Sequence, residues 1–246
     1  MSSVPGSPNA PVEIAFFDVD ETLITVKSMF RFLEFHYRER GLPPSAYEAA
    51  AGSLRRRSAA GVSRLVTNRE YYRLYADRPR EELFAHGRAW FDTEVAGGSL
   101  LHPPAVSALR RHQERGALIA LVSGSFRPCL EPLAGLLGAD EILCSEPEYA
   151  DGRCTGRVDH PVIGVEKGRL ARALMRRHAV SPARAAAYGD HASDLDLLLS
   201  VGHPVAVGGD MVLGAHVARV GGATLPGAVR APDVSRSAPW RRTPVR

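Results

Sequence analysis

The stretch VEIAFFDVDET, residues 12–22, decides the fold. Its first six residues, Val12–Phe17, form an apolar run of strand length that reads as a buried β-strand and then turns abruptly acidic. In an extended strand, residues i and i+2 project to one side about 6–7 Å apart. Asp18 and Asp20 therefore leave the carboxyl end of this strand together, where open α/β sheets bind their ligands. Two carboxylates so placed repel each other unless a cation or a shared proton intervenes. The same residues also read as a polar strand-to-helix turn with a capping side chain.

Working outward, the pattern turns helical from about Lys27 to Glu94. MFRFLEFHYRERG spaces Phe30, Leu33 and Tyr37 three to four residues apart and stops at Gly41. Arg64–Ala76 and Arg80–Phe91 read as further amphipathic helices, and no strand signal interrupts them. Beyond this insertion strands and helices alternate: strand Ala117–Val122, helix Phe126–Leu137, strand Glu141–Cys144. Then come helix Glu166–His178, strand Ala185–Tyr188, helix Leu195–Ser200 and strand Pro204–Val207. Such alternation predicts a parallel α/β sheet with right-handed crossovers. Asp151-Gly152, flanked by alternating residues, predicts a β-hairpin. Residues 1–11 and 226–246 carry no core pattern and read as a disordered leader and a disordered basic tail.

Three more motifs follow strands of this sheet. Ser123-Gly124-Ser125 offers a hydroxyl and free N–H groups at a helix start, an anion site, although serine there is also an ordinary N-cap. Lys167 is one of only two lysines, against 29 arginines, and it sits at a helix start, where the macrodipole disfavours a cation. That placement suits a fixed anionic partner; the plainer reading is an exposed helical lysine. In GDHASD, Asp190 and Asp194 are four apart, so one helical turn brings them to one face. Clustered with Asp18 they form a hard oxygen donor set suited to Mg²⁺. His191, between them, reads as structural.

Composition narrows the classes. The chain carries 31 basic and 27 acidic side chains. Its last 22 residues hold five arginines and one aspartate, the whole net charge of +4, so the body is formally neutral and carries no nucleic-acid signature. Three cysteines without a CxxC pair argue against a disulfide framework or a structural zinc site. The N-terminus has no signal-peptide pattern and no apolar run approaches membrane-spanning length, which predicts a cytoplasmic protein. The Arg55–Arg57 run reads as a solvated face, and Tyr71, Tyr72 and Tyr75 as packing among the inserted helices.

The order carboxylate pair, serine, lysine, carboxylate pair, carried by DVDET, SGS, Lys167 and GDHASD over residues 18–194, resembles the haloacid dehalogenase superfamily of phosphohydrolases. The likeness is nearest to its phosphoserine-phosphatase-like branch (subfamily IB), and the YADGRCTGRV hairpin ahead of the lysine supports it. The resemblance implies a Rossmann-like parallel core over 12–26 and 95–225, with a helical cap domain, 27–94, inserted after the first strand. It implies a Mg²⁺-dependent phosphatase acting on a small phosphorylated metabolite through an aspartyl-phosphate on Asp18, with Asp20 as acid and then base. Asp18, the Asp20 backbone carbonyl and Asp190 would hold Mg²⁺, and Asp194 would position a ligand or bound water. Ser123, the Gly124 N–H and Lys167 would neutralise the phosphoryl oxygens, and Thr22, counted with the phosphate-binding residues, would orient the nucleophile loop. Dehalogenases of the superfamily need neither Mg²⁺ nor the second acid, so Asp20, Asp190 and Asp194 favour phosphoryl transfer. Phosphoserine phosphatases carry a glutamate nine residues after the nucleophile, facing the substrate ammonium. Lys27 stands there in this chain, which disfavours phosphoserine and suits an acidic or neutral ester, unless the side chain turns to solvent. Two alternatives share these residues: a regulatory protein acting through its cap or tail, and a phosphotransferase or mutase.

Overall fold

The computed structural model describes residues 11–229. The leader expected over 1–11 and the tail expected over 226–246 fall almost wholly outside them. Along the chain run β1 (Ile14–Phe17), α1 (Ser28–Glu39), α2 (Pro44–Ala59), α3 (Arg64–Arg73), α4 (Arg80–Ala96), α5 (Pro103–Glu114) and β2 (Leu118–Ser123). Next come α6 (Arg127–Leu137), β3 (Glu141–Cys144), β4 (Tyr149–Ala150), β5 (Arg153–Cys154), α7 (Val165–Arg177) and β6 (Ala185–Gly189). The last elements are α8 (Leu195–Leu198), β7 (His203–Val207), α9 (Met211–Val220) and β8 (Ala223–Leu225).

The six-stranded sheet has the order β3-β2-β1-β6-β7-β8, and every pairing in it is parallel. The architecture is α/β, a Rossmann-like sheet with a helical insertion after its first strand. Both faces of β1 are buried. Ala15 and Phe17 pack with α1–α6, whereas Ile14 and Phe16 pack with α7, α8 and α9. This explains why the strand reads as a continuous apolar run rather than an alternation.

Strand order reverses at β1, which lies between β2 and β6. The register pairs Phe17 with Leu121 on one side and with Tyr188 on the other. The residues that follow, Asp18, Ser123 and Asp190, therefore emerge side by side at the switch point.

The inserted helices join the core through a shared apolar cluster. Phe126 at the start of α6 meets Phe32, Tyr71, Tyr72 and Tyr75, with ring centroids 5.4–6.4 Å apart. The tyrosines thus pack against the sheet domain as well as among the insertion's own helices. The hairpin turn takes positive φ at both Asp151 (48°) and Gly152 (73°), as a tight two-residue hairpin requires. β4 and β5 reach back to the insertion: Arg80 N–H donates to the Gly152 carbonyl at 2.8 Å and Asp77 N–H to the Cys154 carbonyl at 2.8 Å. No helix among the described residues is long and apolar enough to cross a membrane. The three cysteines are buried and unpaired.

Candidate functional site

The four motifs line one cavity of about 470 Å³ between the strand ends and α1–α3. Asp18, Asp20, Ser123, Gly124, Lys167, Asp190 and Asp194 form its floor, and Lys27, Met29, Phe30, Leu54, Arg55, Arg64 and Asn68 form its far wall.

Lys167 is the centre of the floor. It is 4% exposed, and its Nζ donates to Asp18 Oδ1 at 2.5 Å and to Asp194 Oδ1 at 2.6 Å. Burial works against its charge, yet the two carboxylates hold the ammonium above its ordinary range. They also offset the cost of a cation in the first turn of α7. Asp194 is fully engaged: its Oδ2 accepts the N–H groups of Asp190 (3.2 Å) and His191 (3.3 Å). It therefore shapes the loop after β6 while it anchors Lys167.

Burial raises the pKa of Asp18, and Asp194 adds to the rise. Asp190 is pushed up to about 8 by burial and by the neighbouring charges of Asp18 and Asp194. Oxygens of Asp18, Asp190 and Asp194 lie within 4.8 Å of one another. One lysine against three crowded carboxylates leaves a negative excess that a divalent cation with a preference for oxygen would relieve. The donor set thus fits Mg²⁺.

Asp20 stands apart from that cluster. Its Oδ1 is buried without a hydrogen-bond partner. Burial pushes the carboxyl up to about 7, against the opposing effect of hydrogen bonding to Ser28. The chain bends sharply after it. Glu21 takes φ 62°, and the N–H groups of Thr22, Leu23 and Ile24 converge on the Val19 carbonyl at 2.9–3.2 Å.

Thr22 sits behind the cavity rather than in its wall: it is fully buried, and its Oγ1 donates to Asp190 Oδ1 at 3.3 Å. Lys27 reaches the wall, stays about half exposed and pairs with Glu21 at 3.2 Å. Ser123 is buried, and its Oγ accepts Ser125 N–H at 3.1 Å, which fixes the turn into α6. His191 lines the cavity, and its Nδ1 accepts Ser193 N–H at 3.0 Å.

Several residues that sequence reasoning passed over complete the site. The Gly124 carbonyl accepts from Asn68 Nδ2 (3.0 Å) and from Tyr72 Oη (2.8 Å), so α3 holds the Ser123–Ser125 loop. Ser28 Oγ donates to Ser125 Oγ at 3.0 Å. An Arg64 Nη bridges to His191 Nδ1 and Ser193 Oγ, both at 2.9 Å, and so joins α3 to the loop after β6. The Arg55–Arg57 run divides by helix geometry. Arg55 lies over the Phe30 ring (5.2 Å) at the cavity wall, while Arg57 pairs with Glu70 at 2.8 Å.

The family model of haloacid dehalogenase-like hydrolases matches residues 15–199. Over 219 residues the chain is 27% identical to the inhibition of morphological differentiation protein of Streptomyces azureus, covering 82% of this chain and 74% of that one. A phosphoserine phosphatase of Mycobacterium tuberculosis is 34% identical over 114 residues, 46% of this chain and 28% of that one. A solved protein of unknown function from Bordetella pertussis Tohama I shares the fold with a TM-score of 0.77 and 25% identity, over 88% of this chain and 99% of that one. Phosphoserine phosphatases recur among the relatives by sequence and among the solved structures by fold.

Proposed function

The chain belongs to the haloacid dehalogenase-like hydrolase family, in its phosphoserine-phosphatase-like branch, and on that premise we propose that it is a Mg²⁺-dependent phosphatase of a small phosphomonoester. The observation that carries this reading is the meeting of Asp18, Asp20, Ser123, Lys167, Asp190 and Asp194 around one cavity at the switch point of the sheet.

Asp18, the Asp20 backbone carbonyl and Asp190 would hold the metal, which supplies Lewis-acid neutralisation of phosphoryl charge. The chain's own groups do the rest. A carboxylate oxygen of Asp18 attacks phosphorus as the bond to the leaving oxygen breaks, which forms an aspartyl-phosphate. Asp20 gives its proton to that leaving oxygen. It then takes a proton from the water that attacks the same phosphorus, so phosphate departs and the Asp18 carboxylate returns. Ser123, the Gly124 N–H and Lys167 hold the phosphoryl oxygens, a positioning and charge role in keeping with the demands of phosphoryl transfer. Thr22 steadies Asp190 from behind.

The inserted helices, residues 27–94, act as the cap over this floor. Their cavity wall combines Met29, Phe30 and Leu54 with the cations Lys27, Arg55 and Arg64. Such a wall favours an acidic or neutral ester with some apolar surface, and Lys27 opposes an α-ammonium group. Three buried, unpaired cysteines suit a reducing cytoplasm.

Phosphate release from an aryl phosphate with and without Mg²⁺ tests the reading. Asp18→Asn should lower it by a factor on the order of 10⁶, the scale of removing a covalent nucleophile. Wild-type turnover that survives chelation would overturn it. A panel of phosphorylated metabolites should rank phosphoserine below phosphomonoesters whose alcohol part is acidic or neutral. Phosphate passing to an acceptor other than water would instead indicate a phosphotransferase or mutase. The Streptomyces azureus relative, which carries a name tied to differentiation, favours a second, regulatory reading. A cellular phenotype unchanged by Asp18→Asn but lost on deleting residues 226–246 would select it.

A further inference from the structure

A second group of ligand-type side chains lies away from this cavity, where α1 faces α4. Glu82 and His86 are four apart on α4, so one helical turn brings them to one face. His36 approaches that face from α1. Its ring is fully buried and held between Phe32 (centroids 5.8 Å, stacked) and Tyr75 (5.3 Å, edge-on). His36 Nδ1 lies 2.9 Å from His86 Nδ1, and His36 Nε2 lies 3.9 Å from Glu82 Oε1. Both His36 Nε2 and Glu82 Oε1 are buried without a hydrogen-bond partner. One atom from each of the three residues fits within a span of 4.8 Å.

Two buried atoms without hydrogen bonds are costly: His36 Nε2 has given up water for no partner, and Glu82 Oε1 has only the Arg40 guanidinium at 3.9 Å. The tautomers do not remove the cost. If His36 donates through Nδ1, its Nε2 lone pair faces a carboxylate oxygen; if it accepts there, its Nε2–H points at that oxygen from too far away to bond well. An ion takes only one nitrogen of His36: bound at Nε2 together with Glu82 Oε1 it relieves both orphans, and His86 joins it by turning its ring away from the Nδ1–Nδ1 contact. We propose that His36, Glu82 and His86 form a site for a Zn²⁺-class divalent ion that clasps α1 to α4.

Two imidazoles and one carboxylate are the donors such borderline ions take, with a fourth position left to water. Tetrahedral coordination places ligand atoms about 3.3–3.5 Å apart. The His36 Nε2–Glu82 Oε1 spacing of 3.9 Å is wider than that, and one atom from each residue fits within 4.8 Å, so the side chains must close in on the ion. Glu82 and His86 are partly exposed, which gives the ion access and room for a water. Arg40 Nε, 3.9 Å from Glu82 Oε1, competes for the carboxylate and must turn outward when the ion binds. None of the three ligands lines the cavity at the strand ends. The donors differ as well: nitrogen-rich here, all oxygen there. The site therefore does not depend on the phosphatase reading.

Titration of the full chain with Zn²⁺, and with Co²⁺ as a spectroscopic probe, tests the proposal, with excess Mg²⁺ present to occupy the carboxylate cluster. One equivalent should bind, Co²⁺ should show the intense visible bands of a tetrahedral site, and Zn²⁺ should raise the melting temperature. His86→Ala and Glu82→Gln, both on the partly exposed side, should each weaken Zn²⁺ by more than the roughly 10–100-fold that loss of an outer partner costs, and should abolish the melting shift. No binding beyond what Mg²⁺ displaces, octahedral Co²⁺ spectra, or equal affinity in wild type and both variants would overturn it.

Discussion

Lys167 shows how a single residue can be legible. A rare lysine at a helix start predicts an anionic partner, and the structure supplies two, Asp18 and Asp194. Asp18, Asp20, Ser123, Asp190 and Asp194 were readable for the same reason: each follows a strand, so its position is set by local pattern and sheet topology together. Asn68, Tyr72 and Arg64 were not readable. They act on Gly124, His191 and Ser193 across 52–129 residues of chain, and no spacing rule encodes such a contact. The position of Thr22 behind the cavity was hidden for the same reason, since its partner Asp190 lies 168 residues away. A residue-scale prediction concerns His112, whose Nε2 lies 2.9 Å from Tyr188 Oη. Burial pushes its pKa down from 6.5 to about 4, and Arg115, Arg111 and His203 add to the effect. The folded state therefore resists a proton that the unfolded chain accepts. This group's contribution is constant above pH 6.5, falls as the pH drops to about 4, and falls no further below that. Urea midpoints measured across this window should drop less in His112→Phe than in wild type; parallel profiles would show that His112 carries none of the acid sensitivity.

Among the elements, those with long apolar runs or clear caps were read nearly to the residue. β3 matches its expected Glu141–Cys144 span, and β2, β6 and α7 each shift by about one position. α2, α5, α9 and β8 were not resolved from the sequence. α2 buries only Tyr47, Ala51 and Leu54 among small and basic residues, a stripe too thin to stand out. α9 has sound signals in its Asp210 N-cap and in Gly221 at φ 69°, but much of its apolar surface is exposed. β8 is a three-residue edge strand with no periodicity to read. The contact between α4 and α6 supplies a prediction at this scale. A Cβ on Gly87 would lie 2.0 Å from the Pro128 carbonyl oxygen, backbone that cannot rotate away. Gly87→Ala must therefore push α4 off α6, at a cost of about 1–3 kcal/mol typical of overpacking. Because α6 begins just after the Ser123–Ser125 loop, turnover should fall along with stability. Thermal melts and steady-state rates read both effects, and an unchanged melting temperature would show that the two helices can separate freely.

For the molecule as a whole, topology does most of the placing. Strand order reverses at β1, the parallel register on both sides delivers three of the four motifs to one rim, and the first turn of α7 brings Lys167 to them. The inserted helices add the opposite wall, tied down by Phe126, the β4–β5 hairpin and the Asn68–Gly124 and Arg64–Ser193 bonds. The parallel sheet and its rim followed from alternation of strands and helices; the grip of the insertion did not, because it depends on which helix faces meet. In the proposed mechanism everything chemical then turns on Asp18 as the atom donor to phosphorus. Acid-quenching the enzyme during Mg²⁺-supported turnover of an aryl phosphate, reducing with borohydride and mapping the peptides by mass tests this most directly. The account predicts homoserine at position 18, the product of reducing an aspartyl-phosphate, and no other modified carboxylate. Sustained turnover with Asp18 unmodified, or with phosphate trapped on Ser123 or His191 instead, would contradict it.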